Sequence, residues 1–148
     1  MLTIREWIVL LLPMIACFTA SAVCPIGKNA GRSVVFRPPA WVFGIVWFCI
    51  TIALGISWVL ASKHVGSLPT WGVNTIYAAV VAFLVLWIIQ YGCNDNKIAA
   101  MWTFVPLIMT ALMCAVTGST GSRLLVCPLI AWLLFAMLLG ATELNQTV

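Results

Sequence analysis

Residues 65–94 read VGSLPTWGVNTIYAAVVAFLVLWIIQYGCN, thirty positions without one charged side chain. Such a run decides the fold. About 20 apolar residues carry an α-helix across the hydrocarbon core of a bilayer. A transmembrane β-strand would show segments of about 10 residues alternating between apolar and polar, and this run does not alternate. In lipid each backbone amide must be paired, and a helix does so within its own segment.

Working outward, the same pattern recurs. The charges are Arg5, Glu6, Lys28, Arg32, Arg37, Lys63, Asp95, Lys97, Arg123 and Glu143. They leave uncharged gaps at 7–27, 38–62, 65–94, 98–122 and 124–142, of 21, 25, 30, 25 and 19 residues. Hydrophobic residues make up 64% of the 148 positions and charged ones 7%, too few polar groups to cover a water-soluble surface. The expected fold is all-α, an integral membrane bundle of five transmembrane helices forming a single domain. Helices are expected near 7–23, 41–62, 71–91, 98–116 and 124–144, with residues 24–40 forming a loop that caps one end. The Pro38-Pro39 pair suits the start of the second helix. The segment after Arg5 ends in Ala20-Ser21-Ala22, a spacing shared with cleaved secretory leaders. Pro13 and Glu6 fit a retained first helix equally well.

With five spans, Lys28, Arg32, Arg37 and Lys97 share a side with the C-terminus, and Arg5, Lys63 and Arg123 occupy the other. Four against three is a weak bias toward a cytoplasmic first loop. No folded basic surface is available for nucleic acid. The cysteines at 17, 24, 49, 93, 114 and 127 form no C-x-x-C pair, and they read as small hydrophobes rather than metal ligands or disulfides. Small residues recur at four-residue spacing: Ala53, Ser57 and Ala61; Ala78 and Ala82; Ala136 and Gly140. Such faces let helix backbones approach closely, within the bundle or at a homodimer seam.

Ion-coupled transport needs ionisable groups inside the membrane, and every acidic residue lies at a span end. A single histidine, His64, and the absence of paired carboxylates leave no acid–base constellation, so no enzyme activity and no cofactor are expected. The chain is instead rich in tryptophan, with eight. Trp7, Trp41, Trp58, Trp71 and Trp102 fall near span ends and suit the interfacial belt. Trp47, Trp87 and Trp132 lie deeper. Trp47, Thr51 and Trp58 share one helix face. Indoles facing inward can line a pocket for a flat aromatic ligand.

The segment Phe36-Arg37-Pro38-Pro39-Ala40-Trp41-Val42-Phe43-Gly44-Ile45-Val46-Trp47 resembles the start of the second helix in the TspO/MBR family, the tryptophan-rich sensory or translocator proteins. That family reads aromatic-x-Pro-Pro, then Phe-Gly-x-Val-Trp. Gly55 also falls where the family often has glycine, and Trp87 matches its third-helix tryptophan. Pro128-x-x-x-Trp132-x-x-Phe135-Ala136 resembles its fifth-helix pattern. There are departures. The first-loop Trp-Tyr is replaced by residues near Gly27-Lys28. Third-helix glutamine and asparagine positions hold Val80 and Leu84, a fifth-helix tyrosine position holds Leu129, and the Leu-Asn ending is Leu139-Gly140.

The resemblance implies a membrane protein that binds hydrophobic ligands: tetrapyrroles such as protoporphyrin, and sterols such as cholesterol. Its ligand site would include Trp47, Trp87, Trp132, Phe135, Ala136 and Leu139, with Phe36 and Arg37 at the first loop. Arg37, Lys28 or Arg32 can pair with porphyrin carboxylates. The partners expected are such a ligand, membrane lipid and, through the small-residue faces, a second copy. Two rival readings are a structural or assembly protein acting through helix contacts without any small ligand, and a passive transporter.

Overall fold

The computed structural model describes residues 3–24, 40–63, 69–94 and 96–147. Five helices run through them: α1 (Ile4–Val23), α2 (Ala40–Lys63), α3 (Thr70–Ile88), α4 (Lys97–Thr117) and α5 (Thr120–Thr147), with no strand among the described residues. All five are long and apolar enough to cross a membrane, and the protein is a multi-pass integral membrane protein. The expected cap over the bundle end, including Phe36 and Arg37, falls from 25 to 39 outside the described residues.

Local chemistry sets the helix ends. Arg5 and Glu6 do not halt α1, because Thr3 and Glu6 form the first half of a capping box: Thr3 Oγ1 accepts from the Glu6 N–H at 3.2 Å. Asn96 caps α4, accepting from the Ala99 N–H at 3.0 Å. Ser119 does the same for α5 through the Ser122 N–H at 3.3 Å, so α5 starts at Thr120 inside the Gly-Ser-Thr-Gly stretch. Arg123 Nε donates to the Ala115 carbonyl at 2.9 Å, satisfying an acceptor in the last turn of α4. The α-helix of the third span stops at Ile88 and continues as a π-helical turn, Ile89–Cys93. Period counting cannot see such a turn, since it differs from an α-turn by one residue.

The helices close into a ring. α1 packs on α2, α2 on α5, α5 on α4, α4 on α3 and α3 on α1, while α2 also reaches across to α3. Tyr77, Leu54, Leu84, Leu107, Leu129, Leu133, Val80 and Val126 fill the middle. On α4 the inward stripe is Ala100, Thr103, Phe104, Leu107, Ala111 and Cys114, at helical spacing. The opposite stripe, Ile98, Trp102, Val105, Met109, Leu112 and Val116, is exposed and suits acyl chains. Trp7 and Trp71 are exposed as well, in keeping with an interfacial belt.

Trp58 departs from that belt. It is 5% exposed, stacks on Tyr77 with ring centroids 5.8 Å apart, and donates its indole N–H to Asn74 Oδ1 at 2.9 Å. A nearby polar thread ties three helices. Ser57 Oγ donates to the Ser122 carbonyl at 2.8 Å, which uses its only proton, so the 2.7 Å contact with Tyr77 is a bond donated by the tyrosine hydroxyl. Of the small-residue faces, Ser57 and Ala61 look inward, and Ala78 and Ala82 look out.

Two cysteines correct the sequence reading. Cys24, at the end of α1, and Cys93, at the end of the π-turn, are joined by a disulfide across 69 residues of sequence, with Cα atoms 4.8 Å apart. Cys17, Cys49, Cys114 and Cys127 are free thiols. A pairing this distant has no local motif. It arises only because α1 and α3 end on the same side. Gly92 makes room for it, since a Cβ there would overlap the Cys24 carbonyl. At the opposite end, Lys63 Nζ and Glu6 Oε2 form an ion pair at 3.0 Å, linking α2 to α1.

Gly55 sets the α1–α2 crossing, because a Cβ there would overlap the backbone carbonyl of Leu10. Backbone cannot move aside as a side-chain tip can. Gly55→Ala is therefore expected to destabilise the folded protein by about 1–3 kcal/mol. Gly44→Ala, which meets nothing within 4 Å, should stay within about 0.5 kcal/mol of the parent. Thermal unfolding in detergent reads both, and equal effects would remove the crossing argument.

Candidate functional site

Three of the helices each send one deep tryptophan to the same place. Trp47 comes from α2, Trp87 from α3 and Trp132 from α5. Trp47 and Trp87 stack with centroids 6.1 Å apart and planes at 27°, and Trp132 meets Trp47 edge-on at 6.5 Å and 86°. Each such aromatic pair is worth about 0.5–1.5 kcal/mol beyond the area it buries. Thr51 sits one turn after Trp47 and returns its hydroxyl proton to the Trp47 carbonyl at 2.7 Å, leaving the face apolar.

The cluster extends in both directions. Phe135 lies against Trp132 at 5.4 Å, Leu139 packs on Trp47 and Trp132, and Ala136 packs against the same core. Six of the eight sequence-derived site residues thus converge, and Phe36 and Arg37 lie outside the described residues. Sequence reasoning missed two members. Phe104 of α4 touches Trp87 at 5.6 Å, and Tyr91 of the π-turn stacks on Trp87 at 5.4 Å and 26°. Phe104 shows itself only in the structure, on the stripe that α4 turns inward. Tyr91 stands four residues after Trp87, the spacing at which helical side chains meet.

Electrostatically the site is quiet. No group of three or more metal-ligating side chains occurs among the described residues. Val80, Leu84 and Leu129 are each no more than 1% exposed. Aliphatic side chains thus fill these three buried positions, and the rings meet further aromatic ones in Tyr91 and Phe104.

The fold is a five-helix membrane bundle whose three deeper indoles face one another inside it. The sequence profile of the TspO/MBR family matches residues 9–143, nearly the whole chain, and the protein belongs to that family. Among curated proteins, none matches the chain significantly.

Trp87 touches Trp47, Tyr91 and Phe104 and is 8% exposed. Trp87→Ala should lower stability by about 3–5 kcal/mol. Trp102→Ala, on the exposed face of α4, should change it far less. Denaturation followed by circular dichroism distinguishes the two, and similar losses would show that the cluster is not a packing centre.

Proposed function

We propose that this TspO/MBR protein binds a flat, largely apolar ligand, a porphyrin or a sterol, against Trp47, Trp87, Trp132, Phe135, Ala136 and Leu139. The supporting observation is the meeting of three indoles from three helices, at 6.1 and 6.5 Å. An indole face accepts a macrocycle as it accepts another indole, so a ligand entering beside Trp47 exchanges ring–ring contacts for ring–macrocycle contacts at little net loss. Porphyrin carboxylates call for a cationic partner, and Arg37, beside Phe36 in the sequence, carries the guanidinium whose fork matches them.

The aliphatic replacements bear on selectivity. Where the family pattern has glutamine, asparagine and tyrosine, this chain has Val80, Leu84 and Leu129. Such a site selects by shape and ring contact and gives little reward to polar substituents on the ligand. The role is sequestration, sensing or handover, with no covalent step by the protein. The rival, an assembly protein without a small ligand, draws on the outward Ala78 and Ala82 and on a homodimer through that face.

Protoporphyrin titrated into detergent-solubilised protein should quench tryptophan fluorescence saturably. Trp47→Leu or Trp132→Leu should weaken binding roughly tenfold, which is about 1.4 kcal/mol, the scale of one or two aromatic contacts. Trp71→Leu, on an exposed face, should leave affinity unchanged. Saturable quenching with one affinity across all three variants would place the ligand elsewhere, and none at all would favour the assembly reading.

A further inference from the structure

We infer that the aromatic site opens toward an oxidising compartment, so that the protein takes up or delivers its ligand on that side of the membrane. This sidedness rests on the ligand reading above, but the observations behind it are separate. Cys24 and Cys93 are cross-linked where α1 and the third span end. Forming that bond removes two electrons and two protons from a pair of thiols. The acceptor is a disulfide-donor protein, itself reduced to a dithiol. Such donors work in secretory, periplasmic and surface compartments, and thiols are kept reduced in the cytosol.

The bundle then fixes what shares that side. α1 and the third span both end there, so α2 and α4 begin there and α5 ends there. Trp47 lies seven residues after the start of α2, and Trp87 six residues before Cys93. At 1.5 Å per residue both are roughly 10 Å from the cross-linked end, and Leu139 is nearer the end of α5 than its start. The connection that begins after Cys24 and ends at Ala40, with Lys28, Arg32 and Arg37 in its sequence, starts and finishes on the same side. The opposite end carries the Lys63–Glu6 ion pair and the Tyr77–Ser57–Ser122 thread.

The charge bias of the sequence points the other way, by four basic residues against three. A difference of one basic residue is a weak determinant of orientation. A disulfide is a strong marker of its compartment, because in the cytosol both thiols would be held reduced.

The test uses the full chain in a bacterial inner membrane, with a peptide tag after Val148. A variant carrying Cys17→Ala, Cys49→Ala, Cys114→Ala and Cys127→Ala retains only the linked pair. Cells are acid-quenched and denatured, and a maleimide carrying polyethylene glycol is added with or without prior reduction. No adduct before reduction and two after it are expected. In unpermeabilised spheroplasts the tag should be open to antibody. Should the variant fail to accumulate, the parent chain is alkylated in membranes, digested without reduction, and read by mass spectrometry for the linked Cys24–Cys93 peptides. Two adducts without reductant, both cysteines alkylated in the parent, or a tag reached only after permeabilisation would overturn the assignment. Protoporphyrin quenching in detergent is blind to orientation. Its loss would remove the ligand reading while leaving the sidedness intact.

Discussion

Acyl chains are as apolar as the leucines they touch, so hydrophobicity cannot draw one transmembrane helix onto another. Every feature of this bundle answers that constraint. Where helices meet closely, glycine lets backbone approach backbone, as Gly55 does at Leu10. Where they need a directional tie, a few hydroxyls supply it, as in the thread from Tyr77 through Ser57 to the Ser122 carbonyl. Where they need a covalent one, Cys24 and Cys93 provide it. The two ends are thus fastened by different chemistry, and the indole cluster lies in the half nearer the covalent tie.

That distribution bears on what the site can do. The hydrogen-bonded end is satisfied internally: the Trp58 indole has Asn74, and Tyr77 has Ser57. Polar groups already paired offer a ligand nothing without first breaking a bond. In the cluster of Trp47, Trp87 and Trp132 the rings meet one another stacked and edge-on. Hydrogen bonds toward one end and ring contacts toward the other give the fold a polarity along its axis.

The sequence made the spans legible because charge is so expensive in hydrocarbon that its absence over 30 residues has one physical meaning. The convergence of Trp47, Trp87 and Trp132 was legible through their depth in the spans and through the family motif, not through periodicity, since helices apolar on every face carry little directional signal. For the same reason Phe104 went unnoticed, and Trp58 passed for a belt residue although it turns inward to Asn74. The Cys24–Cys93 link escaped because 69 residues separate its ends and only the packing of α1 beside α3 brings them together.

The π-helical turn at Ile89–Cys93 has a consequence for register. An α-helix advances about 100° per residue, and a π-turn accommodates one extra residue in its circuit. Had the third span stayed α-helical to its end, Cys93 would point on the order of 100° away from its present heading, around the axis from Cys24. The wide turn acts as a phase shifter between two fixed demands. Tyr91 keeps its place on the Trp87 ring, and the thiol two residues later still finds its mate on the first helix. Removing a single residue from this short segment would uncouple the two, although each partner remained in the chain.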